Sequence, residues 1–290
     1  MIGPARRPKG ITIGICLALL CCSLLPRLGE TDEIFREGFE SGNLAKSTAG
    51  FKWAAPNDTS VVSTDAGWEN APGSTGKNAL RFQYRPGDEW SEQRFALGGA
   101  YPDLWLGFWL RVPTNYSHPD ASPNNQKLLA VWMDGYSYQG DGSTIWLGFH
   151  ASGNGSSTFA ATHTSGRFTS SKAYEQTKAF IATPGDRGRW MQIVVHMKAE
   201  SSAGAADGFM RVWRRWEGDA RFAETQYLSG KELRLPANGP QGFAAGYLMG
   251  WANAPYPVET NFLIDDFVVS TDSLLDDDLK PMPPTQVVAE

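Results

Sequence analysis

Leu104-Trp105-Leu106-Gly107-Phe108-Trp109-Leu110-Arg111-Val112 alternates without a break. Its even positions are all apolar, while its odd positions are Trp105, Gly107, Trp109 and Arg111. Successive side chains of a strand point to opposite faces, so one register builds an interior and the other is presented outward. Two further segments repeat the pattern. Thr144–His150 sets Ile145, Leu147 and Phe149 against Thr144, Trp146, Gly148 and His150; Trp190–Lys198 sets Met191, Ile193, Val195 and Met197 against Trp190, Gln192, Val194, His196 and Lys198. An ordinary solvent face carries Thr, Lys, Glu and Ser. Here the second register is rich in Trp, His, Arg, Gln and Lys, a mixture suited to stacking on sugar rings and bonding hydroxyls or carboxylates.

Working outward, the same kind of segment recurs at Ile34–Phe39, Ser60–Thr64, Ala79–Arg85, Trp90–Leu97, Lys127–Met133, Ser157–His163, Gly208–Trp216, Ala223–Leu228, Gly242–Trp251 and Asn261–Ser270. Gly, Pro, Asn, Asp and Ser clusters separate these runs. Many short strands without alternating helices predict a sandwich or barrel. Ser171–Phe180, with no Gly or Pro, is the one segment that reads as a helical turn. The domain is expected to span residues 33–271, followed by a disordered acidic and Pro-rich tail at 272–290.

The N-terminus is of another kind. Arg6, Arg7 and Lys9 precede an apolar run from Ile11 to Leu25, short of the ~20 residues that span a bilayer. Residues 1–29 therefore read as a signal peptide of a secreted, extracellular or periplasmic protein. No small-x-small cleavage site follows, so an uncleaved anchor, the only membrane contact expected, stays open. Cys16, Cys21 and Cys22 are the three cysteines of the chain, and all lie in that run. The rest can form neither a disulfide scaffold nor a thiolate nucleophile. Removing residues 1–29 takes away Arg6, Arg7, Lys9 and Arg27 and no acid, moving the formal charge from −5 to −9. An acidic surface argues against nucleic acid as a partner, because phosphate needs a basic footprint.

Glu37-Gly38-Phe39-Glu40-Ser41-Gly42 and Phe262–Ser270 resemble the first and last strands of concanavalin A-like jelly rolls. Ser91-Glu92-Gln93-Arg94, Asn125-Gln126-Lys127-Leu128-Leu129, and Trp190–Lys198 running into Asp207–Trp213 are similar to the polysaccharide lyases of that superfamily. The resemblance implies an all-β, two-sheet antiparallel jelly-roll sandwich with a concave ligand face. It also implies a structural calcium at Glu40 and Asp265; no other cofactor is called for. Some family patterns are missing. There is no Glu-x-Asp-x-x-Glu strand of the hydrolases, no Gln-Ile/Val-His tripeptide, and no Tyr-x-Lys-x-Gly-x-Tyr strand of the alginate lyases.

The expected ligand is a polysaccharide, acidic in character, and the expected chemistry is β-elimination. That reaction needs a group to neutralise the uronate carboxylate, a base for the α-proton and an acid for the leaving oxygen. Arg94, Gln192 and Lys127 are candidates for the first. His150 or His196 could be the base, since imidazole titrates near neutrality, and Tyr136, Tyr138 or Tyr247 could be base or acid. Glu92 joins them as the partner of Arg94, a pair that could equally be a surface ion pair of little consequence. Trp105, Trp109, Trp146, Arg111, Lys198, Tyr136 and Tyr138 are candidate sugar contacts, although the tryptophans could instead form a second apolar layer under a loop. A non-catalytic lectin and an extracellular protein-interaction domain are the alternatives. No oligomeric state is implied.

Overall fold

Alternation of the kind seen at Leu104–Val112 is satisfied by pairing into two sheets with a shared interior. The computed structural model describes residues 33–275 except 47–49, 64–66, 68, 75, 137–139, 167–170 and 232. Residues 1–32, the tail from residue 276, and Tyr138 lie outside the described residues, and with them the segment expected to be a signal peptide. The strands are β1 (Glu33–Glu37), β2 (Lys52–Asn57), β3 (Thr59–Ser63), β4 (Asn78–Tyr84), β5 (Trp90–Tyr101), β6 (Asp103–Arg111), β7 (Asn125–Trp132) and β8 (Thr144–Ala151). They continue as β9 (Ser157–Thr164), β10 (Ser171–Glu175), β11 (Trp190–Lys198), β12 (Gly208–Trp216), β13 (Ala223–Lys231), β14 (Phe243–Trp251) and β15 (Thr260–Ser270). Among the described residues there is no helix.

An eight-stranded sheet runs β13-β12-β11-β6-β15-β4-β3, with β1 added beside β15; a seven-stranded sheet runs β10-β9-β8-β7-β14-β5-β2. All pairings are antiparallel. The fold is an antiparallel two-sheet jelly-roll sandwich. Its interior is one continuous cluster. Leu104, Leu106, Phe108 and Leu110 of β6 meet Ile145, Leu147 and Phe149 of β8 and Met191, Ile193, Val195 and Met197 of β11 there. The inward registers of all three diagnostic segments are therefore core, as alternation predicts. Burial of this kind contributes about 25 cal/mol per Å² of apolar area.

Two strands depart from the sequence reading. Ser171–Phe180 is not helical: residues 171–175 form β10, which completes the edge of the seven-stranded sheet against β9. A polar ten-residue segment has little intrinsic helix stability, and the open ladder of β9 supplies partners for its backbone. β2 contains Pro56 and lies at the opposite edge, where a missing N–H costs no ladder bond. Residues 272–275, read as the start of a disordered tail, instead pack Leu274 and Leu275 against Val194, Trp213 and Phe222.

Candidate functional site

The turn between β5 and β6 is a single residue, Pro102, yet the two strands enter opposite sheets. That crossing divides the candidate residues. Trp105, Trp109, Arg111, Gln192, His196 and Lys198 belong to β6 and β11 of the eight-stranded sheet. Glu92, Arg94, Lys127, Trp146 and His150 belong to β5, β7 and β8 of the other, and Tyr136 follows β7. Glu92, His150 and His196 therefore do not converge on one surface, since the outer faces of a sandwich point in opposite directions.

The outer face of the eight-stranded sheet is largely closed. Trp109 packs with Trp190, Ala71 and Leu263, and Trp190 donates its indole N–H to the Glu69 carbonyl at 3.0 Å. Trp105 lies against Trp213 and the apolar residues of the 272–275 segment. This is the second apolar layer under a loop. His196 is held between Trp105, with ring centroids 3.9 Å apart, and Phe209 at 4.8 Å, with its Nε2 2.6 Å from Asp103 Oδ1. Burial lowers its affinity for a proton, and Asp103 offsets part of that. Gln192 accepts a hydrogen bond from Arg215 Nε at 2.7 Å. Arg111 is buried, which lowers its pKa. Lys198 is exposed, 3.8 Å from Asp103.

The outer face of the seven-stranded sheet holds a pocket of about 330 Å³ whose lining includes Asn125, Lys127, Trp146, Gly148, His150 and Thr162. That volume lies within the range of small-molecule sites. Register explains the grouping: Lys127 pairs with Gly148, and Asn125 with His150, while a bulge between Lys127 and Leu129 shifts β7 past β8. Gly148 is required as floor, because a Cβ there would come within 2.5 Å of the Gln126 carbonyl oxygen. Lys127 thus sits one register step from His150 on one side and beside the aromatic cluster on the other.

That cluster is built from Ala130, Trp132 and Tyr247, with Tyr136 and Trp146 packed upon it. Lys127 Nζ donates to Tyr136 Oη at 3.1 Å, and Tyr136 Oη lies 3.3 Å from Tyr247 Oη. Arg94, directly across from Tyr247 in the ladder, stands over the Tyr136 ring at 5.6 Å and donates Nε to Glu92 Oε1 at 2.6 Å. Glu92 is buried but Arg94 remains 36 % exposed, so the pair neutralises an interior carboxylate while leaving guanidinium surface to the solvent. Burial, with Tyr136 and Glu92 nearby, raises the Tyr247 pKa well above that of an ordinary phenol, keeping it protonated. His150 Nδ1 is 3.5 Å from Glu175 Oε2, and Thr158 Oγ1 donates to the other Glu175 oxygen at 2.7 Å.

Glu175 was not among the sequence candidates, because its segment reads as a helix when taken alone. The remaining histidines lie elsewhere. His118 is buried in a network with Tyr116, Ser157 and the Asn124 carbonyl, and desolvation lowers its pKa to about 4. His163 stacks on Tyr174 at 6.0 Å.

Glu40 and Asp265, the residues expected to hold calcium, both accept backbone N–H groups. Both Glu40 carboxylate oxygens accept backbone N–H groups, from Lys77 at 2.9 Å and Asn78 at 3.1 Å. Calcium takes six to eight oxygens, and among the described residues no group of three or more His, Cys, Asp or Glu could hold a metal. Asp265 is a buried carboxyl whose Oδ1 accepts the Asp266 N–H at 2.7 Å. Burial first, then Asp266 and Glu40, raise its pKa from 3.8 to about 7. Between pH 4 and 7 the unfolded chain has released this proton while the folded protein retains it, so stability falls as pH rises through that window. Asp265→Asn is expected to remove the loss, on the order of 3–4 kcal/mol above pH 7 and near zero below pH 4. His118 gives the opposite slope between pH 4 and 6.5, so the comparison to make is the difference between variant and parent in denaturant melts across pH. An unchanged difference at pH 4 and 8 would contradict the assignment.

No protein-family model matches the chain, and no curated protein matches it. Among solved structures, an alginate lyase in complex with an alginate trisaccharide matches over 76% of this chain and 100% of its own, at 13% identity and TM-score 0.46. An alginate lyase from Chlorella virus matches over 78% and 95%, at 10% identity and TM-score 0.48. The binding domain of botulinum neurotoxin DC, in complex with rat synaptotagmin II, matches over 86% of this chain and 50% of its own, at 12% identity and TM-score 0.49. With every score below 0.5, the strand order described above carries the fold assignment.

Proposed function

We propose that the outer face of the seven-stranded sheet binds a polysaccharide containing uronic acid units and cleaves it by β-elimination. The observation that supports this most is the placement of Lys127, Trp146 and His150 around one pocket, with the Tyr136 hydroxyl hydrogen-bonded to Lys127. In this reading Lys127 and Arg94 bind the carboxylate, spreading its charge and acidifying the α-proton. His150 accepts that proton through its imidazole. Glu175 acts as a positioning residue, holding the ring as a carboxylate orients a catalytic imidazole elsewhere. A carbon–carbon double bond forms between the α and β positions, the bond from the β carbon to the glycosidic oxygen breaks, and the leaving oxygen takes a proton from Tyr136. Tyr247, kept protonated, can donate a hydrogen bond to the Tyr136 phenolate that results; His150 then releases its proton to solvent, and Tyr136 regains one from it. Trp146 offers the aromatic surface against which a sugar ring packs.

Incubation with alginate, glucuronan, heparin and pectin provides the test. Elimination leaves an unsaturated end that absorbs in the ultraviolet, so a rise in absorbance with at least one of them is expected. Saturable binding without that rise would make the protein a lectin. Neither binding nor absorbance would remove polysaccharide altogether and favour a protein partner. Export from the cell belongs to the same proposal, because such polymers lie outside it.

A further inference from the structure

Trp90 and Trp251 form a directly paired cross-strand couple on β5 and β14. Their rings are 9° from parallel with centroids 5.8 Å apart, and they are 36% and 40% exposed. Large aromatic side chains left in solvent cost hydrophobic free energy unless something covers them. Most of the other tryptophans described here are covered by packed neighbours. Trp90 shares the outward register of Glu92 and Arg94, so the couple stands on the same face as the pocket.

It also stands in line with it. Trp90 lies opposite Trp251, and because Ala252 is bridged antiparallel to Gln126, Trp251 is level with Lys127, which pairs with Gly148; Asn125, opposite His150, is two residues further along the strand. Asn253, next along the chain, donates its side-chain amide to Asn125 Oδ1 at 2.8 Å, and Asn125 lines the pocket. Aromatic rings and side-chain amides thus run together from the couple to the proposed base. Strands lie about 4.8 Å apart and rise about 3.3 Å per residue, which puts Trp251 roughly 10 Å from Gly148 and roughly 12 Å from His150.

We infer that the Trp90–Trp251 couple is a second sugar-binding subsite, on which a ring of the same polysaccharide stacks while another occupies the pocket, the polymer lying across the strands. The inference rests on the proposed function and adds the direction of the chain and a residue pair outside the pocket. The occupant is a sugar because the exposed aromatic surface is limited to two rings, is flanked by amides and is continuous with the pocket.

The test is Trp90→Ala/Trp251→Ala beside the parent and Trp90→Phe/Trp251→Phe, with the four polymers and with the shortest oligosaccharide cleaved. On polymer the alanine variant is expected to raise KM about tenfold, ~1.4 kcal/mol, with kcat unchanged. The phenylalanine variant should restore most of that. On the short oligosaccharide the variants should match the parent. If the parent binds without cleaving, Kd from tryptophan fluorescence takes the place of KM, with the same expectation. An unchanged KM or Kd in the alanine variant overturns the subsite alone. A parent that neither binds nor cleaves overturns the proposed function and the subsite with it.

Discussion

His150→Ala is expected to lower kcat on a uronate polymer by about 10²–10⁴-fold, the usual contribution of a positioned general base. The side chain is partly exposed, and its Nδ1 meets Glu175 Oε2 at 3.5 Å at the sheet surface. Removing it opens no core cavity, so the melting temperature should change little and the loss should appear in turnover. Glu175→Gln keeps the Thr158 contact and the imidazole itself. It should therefore cost less than His150→Ala, which separates positioning from proton transfer. Measurement of kcat and KM by ultraviolet absorbance, with circular dichroism to confirm the fold, decides the matter. Equal losses in the two variants would mean that the ring's orientation, and not its proton affinity, is what the reaction uses.

Lys127→Met carries the second large expectation, a fall in kcat/KM of about 10²–10³-fold. Methionine keeps the aliphatic stem that lies beside Tyr136 and Trp146, where the ammonium stands 5.9 Å from each ring. The charge and the hydrogen bond to Tyr136 are lost together. Because the developing charge of the transition state is greater than that of the bound carboxylate, kcat should fall more than KM rises. Lys127→Arg should recover part of the binding but misplace the Tyr136 contact, since a guanidinium fork does not replace a compact ammonium. A Lys127→Met protein with parental kcat would move the carboxylate site away from this pocket.

The sandwich itself was legible because alternation is local. In Leu104–Val112 every second residue is apolar, and each of these is in the core. Which sheet a strand joins is not local. β5 and β6 are neighbours in the chain and strangers in space, so Glu92 and Arg94 face one way while Trp105 and Trp109 face the other. Nor does alternation tell an outward tryptophan that meets solvent from one covered later by a distant segment. Trp109 and Trp190 are roofed by the segment around Glu69 and Ala71, and Trp213 by Leu275, residues far from them in sequence. Trp146 has the same local pattern as Trp109 but lines a pocket. Glu175 stayed hidden because an edge strand borrows its stability from the neighbour it pairs with, and its own residues resemble a polar helix.

In the proposed function the chemistry belongs to the seven-stranded sheet and not to its opposite. His150 and His196 carry the same functional group on the two outer faces, the first at a pocket, the second clamped between Trp105 and Phe209. Release of unsaturated ends by His150→Ala and by His196→Ala, compared side by side under conditions where both remain folded, is the measurement that separates them. Activity lost in the first and retained in the second is the predicted result; activity retained in the first and lost in the second would contradict it.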